Sequence, residues 1–374
     1  MAVISRGLEG IIAAETRIGD VRGDIGQLIY CGYDINELAG KVSYEEVVHL
    51  LWHNRLPTAK ELDRLTTALR AERELPQGVI DWITSAPKDA APIDIMRTAV
   101  SMLGCYPTSR HDLDMPESHA IAIKLVAQIG IIAAYFHRSR TGKDLPPIRK
   151  DLGEAAHFLW LMTGKEPGAE ATQTLDVAYV LHAEHGFNAS TFTGRVVAST
   201  LSDMYSAISA AIGALKGPLH GGANEGVIHM LQEIGSLDKV DAWIEEALAQ
   251  KKKIMGIGHR VYKVLDPRAP HLKAMAIKLS EELGDAKWIQ MSERIATIMK
   301  ERKGLNANVD FYSATVYYSL GIPTDLFTPI FAISRMSGWT AHILEQYADN
   351  RLFRPLSEYA GAPVGKKVVP ISER

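Results

Sequence analysis

The chain has 374 residues, 47% of them apolar and 23% charged, with 41 Lys and Arg against 44 Asp and Glu and a formal net charge of −3. Such a length makes one large domain or two ordinary ones and buries roughly three quarters of the unfolded surface, so folding requires neither disulfide nor metal. The slight acidic excess speaks against a dedicated nucleic-acid binder. The two cysteines, Cys31 and Cys105, form no disulfide framework and no paired metal spacing, and suit a reducing compartment.

Taken in chain order, Arg6 follows a very short apolar stretch, which predicts no signal peptide. Residues 26–30 alternate as a strand does. Apolar residues at spacings of three and four then predict helices over 44–51, 59–73, 93–103, 119–138, 152–162 and 169–185. Breakers separate them at Leu56-Pro57, Ala86-Pro87, Pro146-Pro147 and Pro167-Gly168. The longest apolar stretch, 120–136, contains Lys124 and Gln128 and reads as a buried helix rather than a membrane span. Residues 205–216 form a helix rich in Ser, Ala and Gly, which suits either a buried core or a subunit interface. Further helices are predicted over 225–234, 272–283, 287–300 and 330–347, and a last strand-like run over 367–371. The expected class is all-α with at most a small terminal hairpin, in a cytoplasmic, soluble protein.

Phosphate-loop, GxGxxG, HExxH and CxxC signatures are absent, and Gly256-Ile-Gly258 is only a fragment of a dinucleotide motif. Four segments nevertheless combine polar residues with Gly or Pro. In His182-Ala-Glu-His185-Gly186, two histidines end a helix, a place the macrodipole favours for cations; as metal ligands they are only two. In Gly217-Pro-Leu-His220-Gly-Gly-Ala-Asn224, a histidine sits in a glycine-rich loop before a helix for which Asn224 is a candidate N-cap. That position biases the imidazole toward its neutral form, able to donate a hydrogen bond to a developing oxyanion. In His259-Arg-Val-Tyr-Lys263-Val-Leu-Asp266-Pro267-Arg268, Asp266 and Pro267 read as N-cap and first helical residue. Arg268 then lies in a first turn, where a cation is unfavourable unless an anion binds or the side chain reaches solvent. In Asn308-Val-Asp310-Phe-Tyr-Ser313, Asp310 taken alone reads as an N-cap. Arg335 interrupts an apolar helix and needs a partner. Arg354-Pro355 follows that helix and by itself reads as a surface loop.

Together, in order and content, these segments resemble the citrate synthase family, from Arg6-Gly-Leu-Glu-Gly10 to Arg354-Pro355-Leu-Ser357. The likeness is densest over 182–192, 217–225, 256–268, 308–313 and 331–339. It implies a homodimer of nearly all-α subunits, with a large domain (1–217 and 318–374) and a small one (218–317) that closes over the substrates. It implies that Asp310 removes a methyl proton from acetyl-CoA, that His220 stabilises the enolate, and that His259 polarises the oxaloacetate ketone. His185, Arg268 and Arg335 become oxaloacetate-binding residues, and Arg354 the arginine given to the other subunit's site. Met255, Gly256, Ile257, Gly258 and Lys263 become contacts to coenzyme A. Coenzyme A enters as substrate, and no metal or other cofactor is implied; nor is a nucleic-acid or membrane partner. The implied place is the tricarboxylic acid cycle. One departure is Ala307, where many relatives carry proline, which leaves the entry to Asp310 less restricted.

The nearest alternative is 2-methylcitrate synthesis from propionyl-CoA, since one methylene is worth only about 1–3 kcal/mol in an apolar pocket. ATP-dependent citrate cleavage needs more domains than this length contains. A catalytically silent helical dimer and a two-histidine metal binder are the readings from other classes.

Overall fold

A computed structural model of the chain describes residues 4–106 and 115–374, the side chains of 115 and 116 excepted. Near its start, β1 (Gly19–Arg22), β2 (Gln27–Tyr30) and β3 (Tyr33–Asp34) form an antiparallel meander in which Gly19 faces Tyr30 and Ile29 faces Asp34. The helices that follow are α1 (Ile35–Leu38), α2 (Tyr44–His53), α3 (Ala59–Ala71), α4 (Gln77–Ser85), α5 (Pro92–Leu103) and α6 (Met115–Arg140). Next come α7 (Glu154–Thr163), α8 (Ala169–His182), α9 (Ala189–Ser199), α10 (Met204–Leu215), α11 (Ala223–Ile234) and α12 (Val240–Ala249). The last are α13 (Ala269–Leu283), α14 (Lys287–Lys303), α15 (Val309–Ser319) and α16 (Phe327–Ala348).

The expected hairpin differs from the observed sheet. Residues 26–30 do supply a strand, but it pairs with its sequence neighbours, not with the far end of the chain. Residues 367–371 form no strand; a single 3-10 turn, Ile371–Glu373, follows them. Pro370 removes a ladder donor, and Val368 is exposed with no sheet edge beside it among the described residues.

Local chemistry explains the helix starts. Ser43 with Glu46, and Thr58 with Glu61, form capping boxes at α2 and α3, each satisfying orphan N–H groups from both sides. Pro92 opens α5 without losing a needed donor. Gly164 and Gly304, both in the left-handed region, close α7 and α14.

Two helices organise the interior. α16 is buried almost throughout and packs on α2, α6, α8, α9 and α10. α6 packs on α4, α5, α7 and α16, and 72% of its most apolar window lies inside the fold, as expected of a core helix. Trp339 on α16 is 1% exposed, so truncating it to Ala costs about 3–5 kcal/mol. A second group, α11 to α15, packs chiefly within itself: α15 on α11, α13 and α14, and α12 on α14. It meets the first group where α13 touches α8 and α11 touches α16. α10 buries Met204, Ile208, Ile212 and Leu215 and leaves Ala210, Gly213 and Ala214 half-exposed, so its small residues serve a core face and an outer one.

Candidate active site

The four polar segments converge where the two groups meet. α8 ends at His182, and the chain turns through Gly186 before Asn188 caps α9. That turn holds His185, whose ring lies 5.7 Å from His259 and 5.5 Å from Tyr262. His185 Nε2 is 3.1 Å from Tyr262 Oη. Burial, then Arg268 and Arg335, push the His185 pKa well below the ordinary histidine range, which keeps the imidazole neutral.

His259 is oriented by its own loop. The backbone N–H groups of Val261 and Tyr262 both donate to Nδ1, at 3.0 and 3.1 Å. The neutral ring therefore carries its proton on Nε2 as an outward donor. Burial and Arg268 lower its pKa to about 4.

His220 sits before α11, packed 6.4 Å from the ring of Phe331. The Ser190 N–H donates to its Nε2 at 3.3 Å, and Ser190 Oγ lies 2.9 Å from the same atom. This leaves the proton on Nδ1. Trp339 Nε1 donates to Ser190 Oγ at 3.2 Å, which ties the arrangement to α16. The ring is neutral, as the sequence suggested, but for a different main reason: burial first and Arg335 second hold its pKa at about 4. Asn224 does not cap α11. Gly222 occupies that position, and Asn224 lies buried inside the first turn with Nδ2 unpartnered.

The helix expected at Asp266 begins later. α13 starts at Ala269 with Arg268 at the N-cap position and Pro270 inside the first turn. Asp266 is used otherwise: its carboxylate accepts from the N–H, Nε and Nη2 of Arg268 and from the N–H of Val309, all within 3.1 Å. The pair is 1% and 3% exposed, and Arg268 holds the Asp266 carboxyl below its usual range against a large burial penalty. The cation that seemed to need a ligand thus has a carboxylate of its own, with Nη1 outside that pair. The same carboxylate anchors the start of α15.

Asp310 is not the cap of α15 either. Asn308 is, its Oδ1 accepting from the Asp310 N–H at 3.0 Å. This frees the Asp310 carboxyl, which burial raises to about 6 against the pull of Arg268 and Arg335.

Arg335 is the unusual group. It is 1% exposed on α16. Its Nε donates to the His182 carbonyl at 2.6 Å, its guanidinium lies over Phe331, and Nη1 and Nη2 are buried without partners. Leaving such donors unpaired is costly, and a planar pair of them fits a carboxylate.

The remaining predicted residues lie around this centre or away from it. The segment from Met255 to Gly258 runs beside 306–308: Ile257 bridges Ala307, Gly258 N–H donates to Asn306 O, and Asn308 N–H donates to Gly256 O. Lys263 is exposed, its N–H bonded to Gly23 O in the β1–β2 turn. Arg354 is not in this centre. It is exposed and lines a separate cavity of about 1110 Å³, between residues 8–18 and 348–355. Sequence reasoning gave no role to Tyr262, Ser190, Phe331 or Glu184, and took Asp266 for a cap. His182, the other half of the proposed metal pair, is spent differently: its Nδ1 bonds Ala178 O and its ring packs on Phe331. No cluster of three or more metal-ligating side chains occurs among the described residues.

Comparison with known proteins identifies the family. The family model described as citrate synthase, C-terminal domain, matches residues 7–356. Citrate synthase 2 of Bacillus subtilis (strain 168) is 49% identical over 371 residues, covering 99% of both chains. 2-Methylcitrate synthase 1 of Corynebacterium glutamicum is 42% identical, covering 99% of this chain and 98% of its own. The solved ternary complex of citrate synthase from the thermophilic archaeon Thermoplasma acidophilum with carboxymethyl coenzyme A and oxaloacetate superposes with a TM-score of 0.93 at 33% identity, covering 100% of both chains. With a family model spanning nearly its whole length and full-length relatives of this similarity, the chain belongs to the citrate synthase family.

Proposed function

We propose that this chain condenses acetyl-CoA with oxaloacetate and hydrolyses the citryl-CoA so formed to citrate and coenzyme A. The observation that carries the reading is Arg335: a buried guanidinium with two unpartnered nitrogens, beside two neutral histidines and a carboxyl raised to about 6. Oxaloacetate is a dianion, and its carboxylates match that fork and the remaining Nη1 of Arg268. His185, neutral and adjacent, adds a hydrogen-bonding contact.

The chemistry follows from the tautomers. Above pH 6 the Asp310 carboxylate removes a methyl proton from the thioester. As charge moves to the thioester oxygen, the Nδ1–H of His220 donates to it. The Nε2–H of His259 polarises the ketone of oxaloacetate and gives its proton to the new alkoxide as the C–C bond forms. Water then attacks the citryl thioester.

Coenzyme A would lie along Met255 to Gly258, with exposed Lys263 toward its phosphates; the pairing of that segment with 306–308 supports this, because it brings the segment next to Asp310. Residues 218–317 act as the small domain over 1–217 and 318–374, a division supported by the self-contained packing of α11 to α15. A homodimer in the cytoplasm is the working form. The half-exposed small face of α10 suits a close helix contact, and exposed Arg354 is free to serve a second subunit.

The test is thioester consumption with oxaloacetate, comparing acetyl-CoA and propionyl-CoA. A much higher kcat/KM for acetyl-CoA upholds the reading. A preference for propionyl-CoA moves the chain to 2-methylcitrate synthesis, which the Corynebacterium relative brings into view. No consumption of either overturns it.

A further inference from the structure

One buried charge has no task in the chemistry above. Glu184 lies between the histidines of the α8–α9 turn, is 0% exposed, and has no ion pair with a lysine or arginine among the described residues. Its Oε1 accepts from the Gly186 N–H at 2.5 Å and from His342 Nε2 at 3.0 Å. Arg195 Nη1 donates to His342 Nδ1 at 3.2 Å, so the ring keeps its proton on Nε2 and gives it to Glu184. Oε2 has no hydrogen-bond partner among the described residues. Two glycines from different elements make room for the group. A Cβ at Gly19 would lie 2.7 Å from Oε1, and one at Gly338 would lie 2.7 Å from Oε2. A fold that buries an unpaired carboxylate oxygen in this way incurs a large desolvation cost, which a charge of opposite sign nearby offsets.

That charge is Arg335, which sits one turn before Gly338 on α16 and bonds through Nε to the His182 carbonyl, two residues before Glu184. Its Nη atoms have no hydrogen-bond partner among the described residues. The charged and titratable groups around it are Glu184, Tyr30, Tyr262, Arg268, Asp310 and the neutral histidines His182, His185 and His220, and Glu184 is the strongest of those that favour its cationic form. Around Glu184 itself stand Arg335, His342, the Cys31 thiol and Tyr30, whose hydroxyl donates to the Glu184 carbonyl at 2.9 Å. A carboxylate in direct contact would take up donors of the guanidinium, as Asp266 takes Nε and Nη2 of Arg268. A carboxylate nearby but out of contact stabilises the charge and leaves the donors open.

We propose that Glu184 is a positioning residue, the non-contacting counter-ion that keeps Arg335 cationic while its two outer nitrogens stay free for a substrate carboxylate. The inference rests on the oxaloacetate reading of the Arg335 site. It assigns to the turn between His182 and Asn188 a second task besides presenting His185.

The experiment compares the full-length parent, E184Q, E184D, R335Q and the double variant E184Q/R335Q, in two measurements. The first is kcat/KM for oxaloacetate against pH, which reports ionisations of the free enzyme. Burial already lowers Arg335 to about 10. Removing the nearby negative charge lowers it further, so the alkaline limb of E184Q moves to lower pH, with about tenfold less activity than the parent for each unit moved. At pH 7 the E184Q KM for oxaloacetate stays the same or falls, because one carboxylate that repels the dianion is gone. E184D retains the parent's limb whatever its absolute rate. A purely structural glutamate predicts a raised KM at every pH and an unmoved limb, and that result overturns the proposal.

The second measurement is Tm without substrate, which needs no turnover and stands even if the condensation reading fails. Paired charges predict that the double variant loses clearly less than the sum of its single losses. This holds also where E184Q alone does not fold, since removing Arg335 as well then restores a folded protein. Additive losses, or a double variant no better than E184Q, overturn the proposal.

Discussion

Two buried arginines stand on the same site and are held in opposite ways. Arg268 is in contact with Asp266 through Nε and Nη2, and that carboxylate also holds the first N–H of α15. Arg335 is gripped only at Nε by a carbonyl, on a rigid helix buried along nearly all its length. The first is a joint that fixes the 256–268 loop to the helix carrying Asp310. The second is a docking point with its donors left open. The difference teaches that burial of a cation does not by itself mark a ligand site. What marks it is burial without a partner.

Breaking the joint should cost the most. D266N removes one half of a buried ion pair and leaves Arg268 uncompensated, so it destabilises by about 3–5 kcal/mol. Thermal unfolding checks this, and an unchanged Tm would mean that the pair does not hold the loop. R335Q should do the reverse. It loses a charge-assisted pair with substrate, so KM for oxaloacetate rises by roughly 10- to 100-fold, with a smaller loss of Tm than D266N. Equal effects of both variants on Tm and KM would erase the distinction between joint and docking point.

Arg354 sharpens the same comparison from outside. It is exposed and away from its own chain's centre, so R354A should leave Tm in place. If it serves a second subunit, KM for oxaloacetate rises by about tenfold; an unchanged KM removes it from the site. The smallest effect is the pH dependence of the base. Asp310 is raised to about 6, so its ionised form is present above that pH and is lost as pH falls through it. The acid limb of kcat/KM should lie near 6. A limb near 4 would place the carboxyl in a more solvated setting than the one described.

The sequence showed the outer architecture well and the inner wiring poorly. Helices such as α3 and α14 present one face to solvent, so their apolar spacing is plain. α4, α9, α12 and α15 are not among the helices the spacing predicts. α15 reads Val-Asp-Phe-Tyr-Ser-Ala-Thr-Val-Tyr-Tyr-Ser and is buried on most sides, so β-branched and aromatic residues outweigh any helical stripe. Asp266, Asn224 and, taken alone, Asp310 read as caps because a short polar residue before a helix usually is one. Here Asn308 caps α15, and that releases Asp310 for another task. Arg335 was legible, since a lone charge in an apolar helix demands an explanation. Glu184 and Tyr262 were not. Nothing local distinguishes a buried Glu in a turn from an exposed one; its cradle comes from Gly19 and Gly338, far apart in the chain.

The central claim is that Asp310 is the base of an oxaloacetate-dependent condensation. The most direct measurement is turnover of D310N at saturating acetyl-CoA and oxaloacetate, with oxaloacetate protection against thermal unfolding read on the same sample. In D310N kcat falls by about 10²- to 10⁴-fold while the protection by oxaloacetate persists. Near-normal turnover with a folded D310N protein would contradict it.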